Sequence, residues 1–148
     1  MIVLHLTVMT SQIIFETKIA IIVRDDLPIW QKLNLTAFVT SGVAHLAPEA
    51  VGQPYEDADG TRYAPMLGQP VLVFAADRDG LARGLDRALR QGIVPAVYTE
   101  DLFATGNDID NRAAVATVPR TALNLAGIAV RGPRRDVDRI TKGLPLHR

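Results

Sequence analysis

The side chains best suited to chemistry gather where predicted strands end and predicted helices begin. Asp25 and Asp26 directly follow a buried-looking apolar run, and adjacent carboxylates there could include a general base or an anchor for a nearby cation. Lys32 and Asn34 lie early in the following helix and could bind a carbonyl or a phosphate near its positive end. The alternative is structural, with Asp26 as the helix cap and Asp25, Lys32 and Asn34 simply exposed.

A second polar group follows another predicted strand. Tyr98, Glu100 and Asp101 lie at the carboxyl end of that strand, and in an α/β fold ligands bind in the crevice beyond the carboxyl ends of strands. We therefore expect these side chains to share a crevice with Asp26, unless they only cap a turn. Arg112, in the polar segment 107–112, could reach a ligand carboxylate through its planar fork.

The sequence favours neither a metal site nor a cofactor. It contains no cysteine and three scattered histidines, which excludes thiolate chemistry, disulfides and Cys-ligated zinc. The segment 107–112 is rich in oxygen ligands, but it lacks the spacing and the distant Glu of a calcium loop. We predict no bound metal and no cofactor.

Alternating strands and helices position these groups. Apolar runs predict strands at 18–23, 70–74, 93–98 and 123–130. A helix is predicted from Pro28 to a stop at Gly42, with its buried stripe formed by Ile29, Leu33 and Ala37 and with Trp30 and Phe38 alongside. Further helices are predicted after Asp77 or Asp79, after Asn107 or Asp108, and around Val137 and Ile140. The strand at 93–98 contains Pro95 and should lie at an edge or begin pairing only beyond that residue. Gly127 should admit a close neighbour, and residues 131–133 should form a turn.

The segment from His45 to Gln69 breaks this alternation. Its prolines and glycines forbid a long regular element, and Asp59-Gly60 predicts a hairpin that brings Tyr55 opposite Tyr63. Such segments are usually lids, binding loops or interface elements. Trp30, the single tryptophan, could line the mouth of a pocket, although core or interface packing is the commoner role.

Size and composition indicate one globular domain. The 148 residues fit a single domain, 1–148, in which residues 1–16 are a possible N-terminal extension and the apolar run from Met1 to Met9 could form an extra edge strand. Sixteen basic and sixteen acidic residues cancel, which disfavours a nucleic-acid partner. The apolar run at the start lacks the features of a signal peptide and is too short to span a bilayer, so we predict a cytoplasmic protein with no membrane partner.

With these elements placed, the chain resembles the type II peptidyl-tRNA hydrolase superfamily, and most closely a bacterial family of unknown function with the same fold. The resemblance rests on two segments, IIVRDDL at 21–27 before a helix, and GIAVRGP at 127–133 before VDRITKGLPL at 137–146. It implies a three-layer α/β/α sandwich around a mixed sheet of about four main strands, and a homodimer to which the exposed-looking loop 48–69 could contribute. Asp26 and Leu27 match the hydrolase motif, and Lys32 matches with a shift of one residue. The Gln and His that follow in the hydrolases are missing here.

These observations support a small polar ligand in a crevice at the strand ends as the first hypothesis. Its site would contain Asp26 and Lys32 as candidate catalytic residues and Asn34, Tyr98, Glu100 and Arg112 as ligand-binding residues. One alternative is a hydrolase of peptidyl-tRNA or of a related ester or amide. Another is a protein-interaction module, in which Trp30 and Phe38 would fill the crevice. Whether the protein is an enzyme at all is left open by the sequence.

Overall fold

The computed structural model describes residues 13–148 as a four-stranded mixed sheet with helices on both faces. The strands are β1 (Thr17–Arg24), β2 (Tyr55–Glu56), β3 (Arg62–Tyr63), β4 (Val71–Ala76), β5 (Ala96–Thr99) and β6 (Leu125–Pro133). The helices are α1 (Ile29–Leu46), α2 (Arg78–Arg90), α3 (Asp108–Ala116) and α4 (Arg134–Ile140), with short 3-10 turns at Pro48–Ala50, Glu100–Ala104 and Arg120–Ala122. No helix within residues 13–148 is both long enough and apolar enough to cross a membrane. The run from Met1 to Met9, which could form an extra edge strand or an extension, lies outside the described residues.

The strand order β4-β1-β6-β5 brings three carboxyl ends to one edge of the sheet. β1 is parallel to β4 and antiparallel to β6, and β5 is antiparallel to β6. β1, β4 and β5 therefore run in the same direction. The polar residues that follow them gather at one edge, as expected from the sequence.

The core divides along the two faces of β1, because successive side chains of a strand point to opposite sides. Ile19, Ile21 and Val23 pack beneath α1, whereas Ala20 and Ile22 pack beneath α2 and α4. All five side chains are buried. This two-sided burial confirms the prediction of a strand covered on both faces.

Several local predictions are confirmed. Asp77 caps α2 by accepting a hydrogen bond from the Gly80 amide at 2.7 Å, and Asn107 caps α3 through the Asp110 amide at 2.9 Å. β5 lies at the edge of the sheet and begins after Pro95. At α2 and α3, cap chemistry therefore predicted correctly where the helix begins.

The predicted hairpin is also present. Tyr55 pairs with Tyr63 across β2 and β3, and Gly60 takes a positive φ of 82° at the turn. A positive φ favours glycine because it lacks a Cβ atom.

The first helix differs from its prediction at both ends. Pro28, not Asp26, occupies its N-cap position, and no side chain caps it. The helix also continues through Gly42 to Leu46. A Cβ atom at position 42 would lie 2.8 Å from the Cβ atom of Ala96, so this glycine permits close packing on β5 and does not end the helix.

The buried face of α1 was also predicted wrongly. Leu35, Val39 and Val43 face the sheet and are almost completely buried. The predicted stripe points outward, with Ile29 75% and Leu33 68% exposed. Because α1 carries apolar residues on most of its circumference, helical spacing alone did not select the face that packs.

One smaller prediction was also wrong. Residues 131–133 do not form a turn but continue β6, where they pair with the start of β1.

Candidate functional site

One of the two places where functional side chains converge is a cleft beside edge strand β5. Its walls come from α1, β5, the Glu100–Ala104 turn and α3, and it encloses about 910 Å³. That volume is in the range of small-molecule binding sites. The residues that line it are Trp30, Asn34, Phe38, Val39, Ala96, Val97, Tyr98, Leu102, Phe103, Thr105, Gly106, Asn107, Asp108, Asn111, Arg112, Val115 and Ala116.

Aromatic rings form the inner surface of the cleft. Tyr98 lies 4.9 Å from Phe103 and 5.5 Å from Phe38, measured between ring centroids, and Phe103 meets Trp30 edge-on at 5.6 Å. These separations are typical of stabilising aromatic pairs. Because Trp30 is 59% exposed and Phe38 52% exposed, the cluster presents aromatic surface to whatever enters.

Polar groups interrupt this apolar surface at a few points. The Tyr98 hydroxyl donates to Asn34 Oδ1 at 3.4 Å, and burial raises the pKa of Tyr98, so its hydroxyl stays protonated at neutral pH. Arg112 forms an ion pair with Asp108 one helical turn earlier on α3. The cleft can therefore offer hydroxyl, amide and guanidinium groups to a ligand that rests on its rings.

The second place is the edge where β1 and β5 end, and buried Arg24 organises it. Arg24 Nε contacts Asp26 Oδ1 at 2.6 Å, and its Nη2 contacts Glu100 Oε1 at 2.9 Å. Its Nη1 donates to Asn124 Oδ1 at 3.1 Å and to the Leu125 carbonyl oxygen at 3.2 Å. The Arg24 side chain is only 4% exposed, so this cluster closes the edge of the sheet.

Arg24 also sets the ionisation of its two carboxylate partners. Its hydrogen bonds are the main reason that the pKa values of Asp26 and Glu100 lie below their usual range. A carboxylate held in its charged form accepts a proton poorly. In this arrangement Asp26 is better suited to anchoring Arg24 than to acting as a general base.

The pH dependence of stability should reveal this cluster. A lowered folded-state pKa contributes stability that is present above the unfolded-state pKa and is lost as pH falls through the folded value. We expect Glu100→Gln to have a lower melting temperature than the wild type at neutral pH, and the difference should shrink as the pH falls below the ordinary range of a glutamate pKa and Glu100 becomes protonated. Melting curves across this range test the assignment, and a difference that stays constant with pH would contradict it.

The six predicted site residues are divided among three places. Asp26 and Glu100 meet at Arg24, whereas Asn34, Tyr98 and Arg112 line the cleft. Lys32 belongs to neither group. Its Nζ atom donates to Nε2 of His147 in the C-terminal segment at 3.1 Å.

Sequence reasoning missed two parts of these sites. It did not foresee that Arg24 and Asn124 would bind each other, because 100 positions separate them in the chain. It also overlooked Phe103, whose position five residues after Tyr98 carried no recognisable motif. The polar segment 107–112 was noticed, and it supplies the rim of the cleft. No group of three His, Asp or Glu side chains within residues 13–148 is arranged to hold a metal ion.

Comparisons with known proteins identify the relatives of the chain. A solved structure of a protein of unknown function from Agrobacterium tumefaciens is similar to it, with 43% sequence identity and a TM-score of 0.89. That match covers 91% of this chain and 100% of the other. A search of curated proteins gave no match. A model of the family of proteins of unknown function DUF2000 matches residues 17–148, and the chain therefore belongs to this family.

Proposed function

We propose that the protein binds a small molecule in the cleft between α1, β5 and α3. The observation that carries the proposal is an open cleft of about 910 Å³ in which aromatic rings form the inner surface and a few polar groups interrupt it. Small-molecule sites have this composition, because apolar contact supplies affinity and a few polar groups fix orientation. The sequence hypothesis was a small polar ligand in a crevice at the strand ends, and the proposal here adds an apolar body to that ligand.

The chemistry of the walls favours a compact ligand with a flat apolar body and one hydrogen-bonding group. Trp30 and Phe38 expose ring surface for stacking, and buried Tyr98 supports the Phe38 ring from beneath. Asn34, Asn111 and Arg112 lie along the same cleft and can bind a carboxylate or a carboxamide. We therefore propose aromatic carboxylates and their amides as the ligand class.

Trp30 provides a direct test, because it is the single tryptophan and it lines the cleft. A panel of aromatic carboxylates and matching carboxamides can be titrated while the tryptophan emission is recorded. We expect saturable changes for members of the panel. Arg112→Ala should weaken carboxylate binding about tenfold, which corresponds to about 1.4 kcal/mol, and should change carboxamide binding little.

The control is Arg83→Ala, which removes an exposed guanidinium from α2, away from the residues that line the cleft. Binding should be unchanged in this variant. An equal loss in both variants would show that Arg112 acts only through net charge. A panel that leaves the emission unchanged would count against the cleft as a ligand site.

A hydrolase with a type II peptidyl-tRNA hydrolase-like fold is the second proposal, and the sequence resemblance supports it. In that proposal Asp26 and Lys32 orient substrate and water. Arg24 holds Asp26 in its charged form, and Lys32 contacts His147, which argues for the binding proposal first. Ester and peptidyl-tRNA hydrolysis assays of the wild type and Asp26→Asn test this alternative. The cytoplasmic location stays a prediction from the sequence.

A further inference from the structure

The two edges of the four-stranded sheet differ in how they are covered. At the β4 edge, the Ala75 amide donates to the Pro145 carbonyl oxygen at 2.9 Å and the His147 amide donates to the Val73 carbonyl oxygen at 2.8 Å, so the C-terminal segment pairs with the strand. At the other edge, no backbone hydrogen bond joins Ala96–Thr99 to any segment within residues 13–148 except β6 and its approach. We call this side of β5 the open edge.

The sequence of β5 gives the open edge little protection. Proteins shield exposed edges with charged side chains, prolines, covering segments or very short strands. The four residues of β5, AVYT, carry no charge and contain no proline. Its shortness limits how much can pair with it, but the backbone groups on the open edge are chemically suited to an added strand.

The cleft of the proposed ligand site runs along the open edge. Ala96, Val97 and Tyr98 all line the cleft. Tyr98 packs with the core beneath α1, whereas Val97 packs with the core on the opposite face of the sheet. Because successive side chains of a strand point to opposite faces, a cleft that reaches three consecutive residues also reaches the backbone between them. A ligand in the cleft therefore meets the strand as well as the aromatic rings.

The backbone of Val97 supplies a donor and an acceptor to the open edge. Along an antiparallel strand, residues alternate between pointing their backbone groups at the partner strand and away from it. The Glu100 amide points toward the β6 side, because it donates to the Asn124 carbonyl oxygen at 2.9 Å. The extra residue of this irregular ladder lies in β6, so the alternation along β5 is unbroken. The backbone groups of Tyr98 thus turn toward β6, and those of Val97 turn toward the cleft.

The charges of the cleft suit a single carboxylate. Among the described residues that line it, Arg112 is the cation and Asp108 is the anion, and the two are paired. Arg112 contacts Asp108 through Nη1, whereas its Nε and Nη2 atoms form no hydrogen bond within residues 13–148. An exposed pair of this kind contributes little to stability, so the guanidinium fork remains available to a ligand carboxylate.

From the open edge and the cleft beside it, we infer that the ligand is the carboxyl-terminal end of an extended peptide whose last residue is aromatic. The inference rests on the proposed function, because it identifies the aromatic carboxylate as the end of a chain. The last ring lies against Trp30 and Phe38, the terminal carboxylate binds Arg112, and the preceding residues pair with Val97. In strand addition, main-chain hydrogen bonds supply affinity and pockets for side chains supply specificity.

Two ligands that differ in length test the inference. The short ligand is N-acetylphenylalanine, and the long ligand is an N-acetylated pentapeptide of four alanines and a carboxyl-terminal phenylalanine. Titrations are followed by the emission of Trp30. The pentapeptide should bind at least about tenfold more tightly, because its added backbone groups pair with β5. Methylating the four alanine nitrogens should abolish this gain.

Two variants at position 97 test the same hydrogen bonds from the side of the protein. Val97→Pro removes the donor at the open edge, and an edge strand tolerates proline where the nitrogen faces away from the ladder. Val97→Ala is the matched control, since it shortens the side chain and keeps the donor. The pentapeptide should lose its tenfold advantage in Val97→Pro and keep it in Val97→Ala. Thermal melting verifies folding, and the methylated pentapeptide provides the same test in the wild type.

The outcomes separate this inference from the proposed function. If N-acetylphenylalanine binds and the pentapeptide binds no more tightly, the occupant is a small molecule and the inference is overturned. If neither of these ligands nor the aromatic carboxylate panel binds, both proposals fail. A wild-type dimer in sedimentation that Val97→Pro dissociates would assign the open edge to a second copy, which would also overturn the inference.

Discussion

Replacing Arg24 with alanine should lower the free energy of unfolding by about 3 kcal/mol, because it removes the cation around which the edge of the sheet is closed. For a domain of this length, the melting temperature should fall by roughly 10 °C. Arg24 binds Asp26 and Glu100 and also donates to Asn124 and to the Leu125 carbonyl oxygen. Its loss leaves these acceptors without their common donor and opens a cavity in a buried position.

One further variant separates the geometry of Arg24 from its charge, and a second variant is a control for the loss of an exposed arginine. Arg24→Lys keeps the charge but cannot reach four acceptors with one ammonium group, so its melting temperature should lie between those of wild type and Arg24→Ala. Arg112→Ala removes an exposed arginine that is paired only with Asp108 and should cost less than about 0.5 kcal/mol. Chemical denaturation measures all three. An Arg24→Ala loss as small as that of Arg112→Ala would refute a structural role for the cluster.

Replacing Gly127 with alanine should destabilise the fold by about 3 kcal/mol through overpacking. A Cβ atom at this position would lie 2.4 Å from Leu35 Cδ1 and 3.1 Å from the Ile22 carbonyl oxygen. Leu35 is fully buried between α1 and the sheet, and the strand backbone cannot withdraw without breaking its ladder. The helix must therefore move outward to admit one methyl group.

That movement would also reach the cleft, because Asn34 and Val39 of α1 line it. Gly127→Ala should thus change the tryptophan emission of Trp30 as well as the stability. Gly52→Ala is the control, since a Cβ atom there would make only ordinary contact, 3.5 Å from the Met66 carbonyl oxygen, and Gly52 does not line the cleft. Denaturant titrations followed by fluorescence measure both effects. If the two glycine variants are equally stable, α1 does not depend on Gly127 for its close approach.

The confirmed predictions depended on residues close together in the chain. Asp77 and Asn107 begin α2 and α3 because a side-chain oxygen can satisfy an amide only three positions away. Gly60, which takes a positive φ at the turn, and the facing tyrosines likewise defined the hairpin within a short stretch of chain. The apolar pattern on both sides of β1 likewise predicted a strand buried on both faces.

The wrong predictions concerned packing between distant segments. Gly42 looked like a helix stop, but Ala96 of β5 lies against it and requires the missing side chain. Asp26 looked like a cap, but Arg24 turns toward the sheet edge and binds it. The stripe containing Ile29 and Leu33 has ideal helical spacing, yet the sheet packs on another side of the helix.

The sequence by itself therefore determined the elements, most of their starts and the edge of the sheet at which polar residues gather. Only the tertiary structure decided which of these residues meet, because that depends on contacts between segments far apart in the chain. Arg24 brought Asp26 and Glu100 together in one ion-paired cluster, while the close packing of α1 on β5 and β6 left Asn34 and Tyr98 in a separate cleft. The candidate site thus moved from a carboxylate crevice to an aromatic cleft, since burial and side-chain partners are properties of the folded chain.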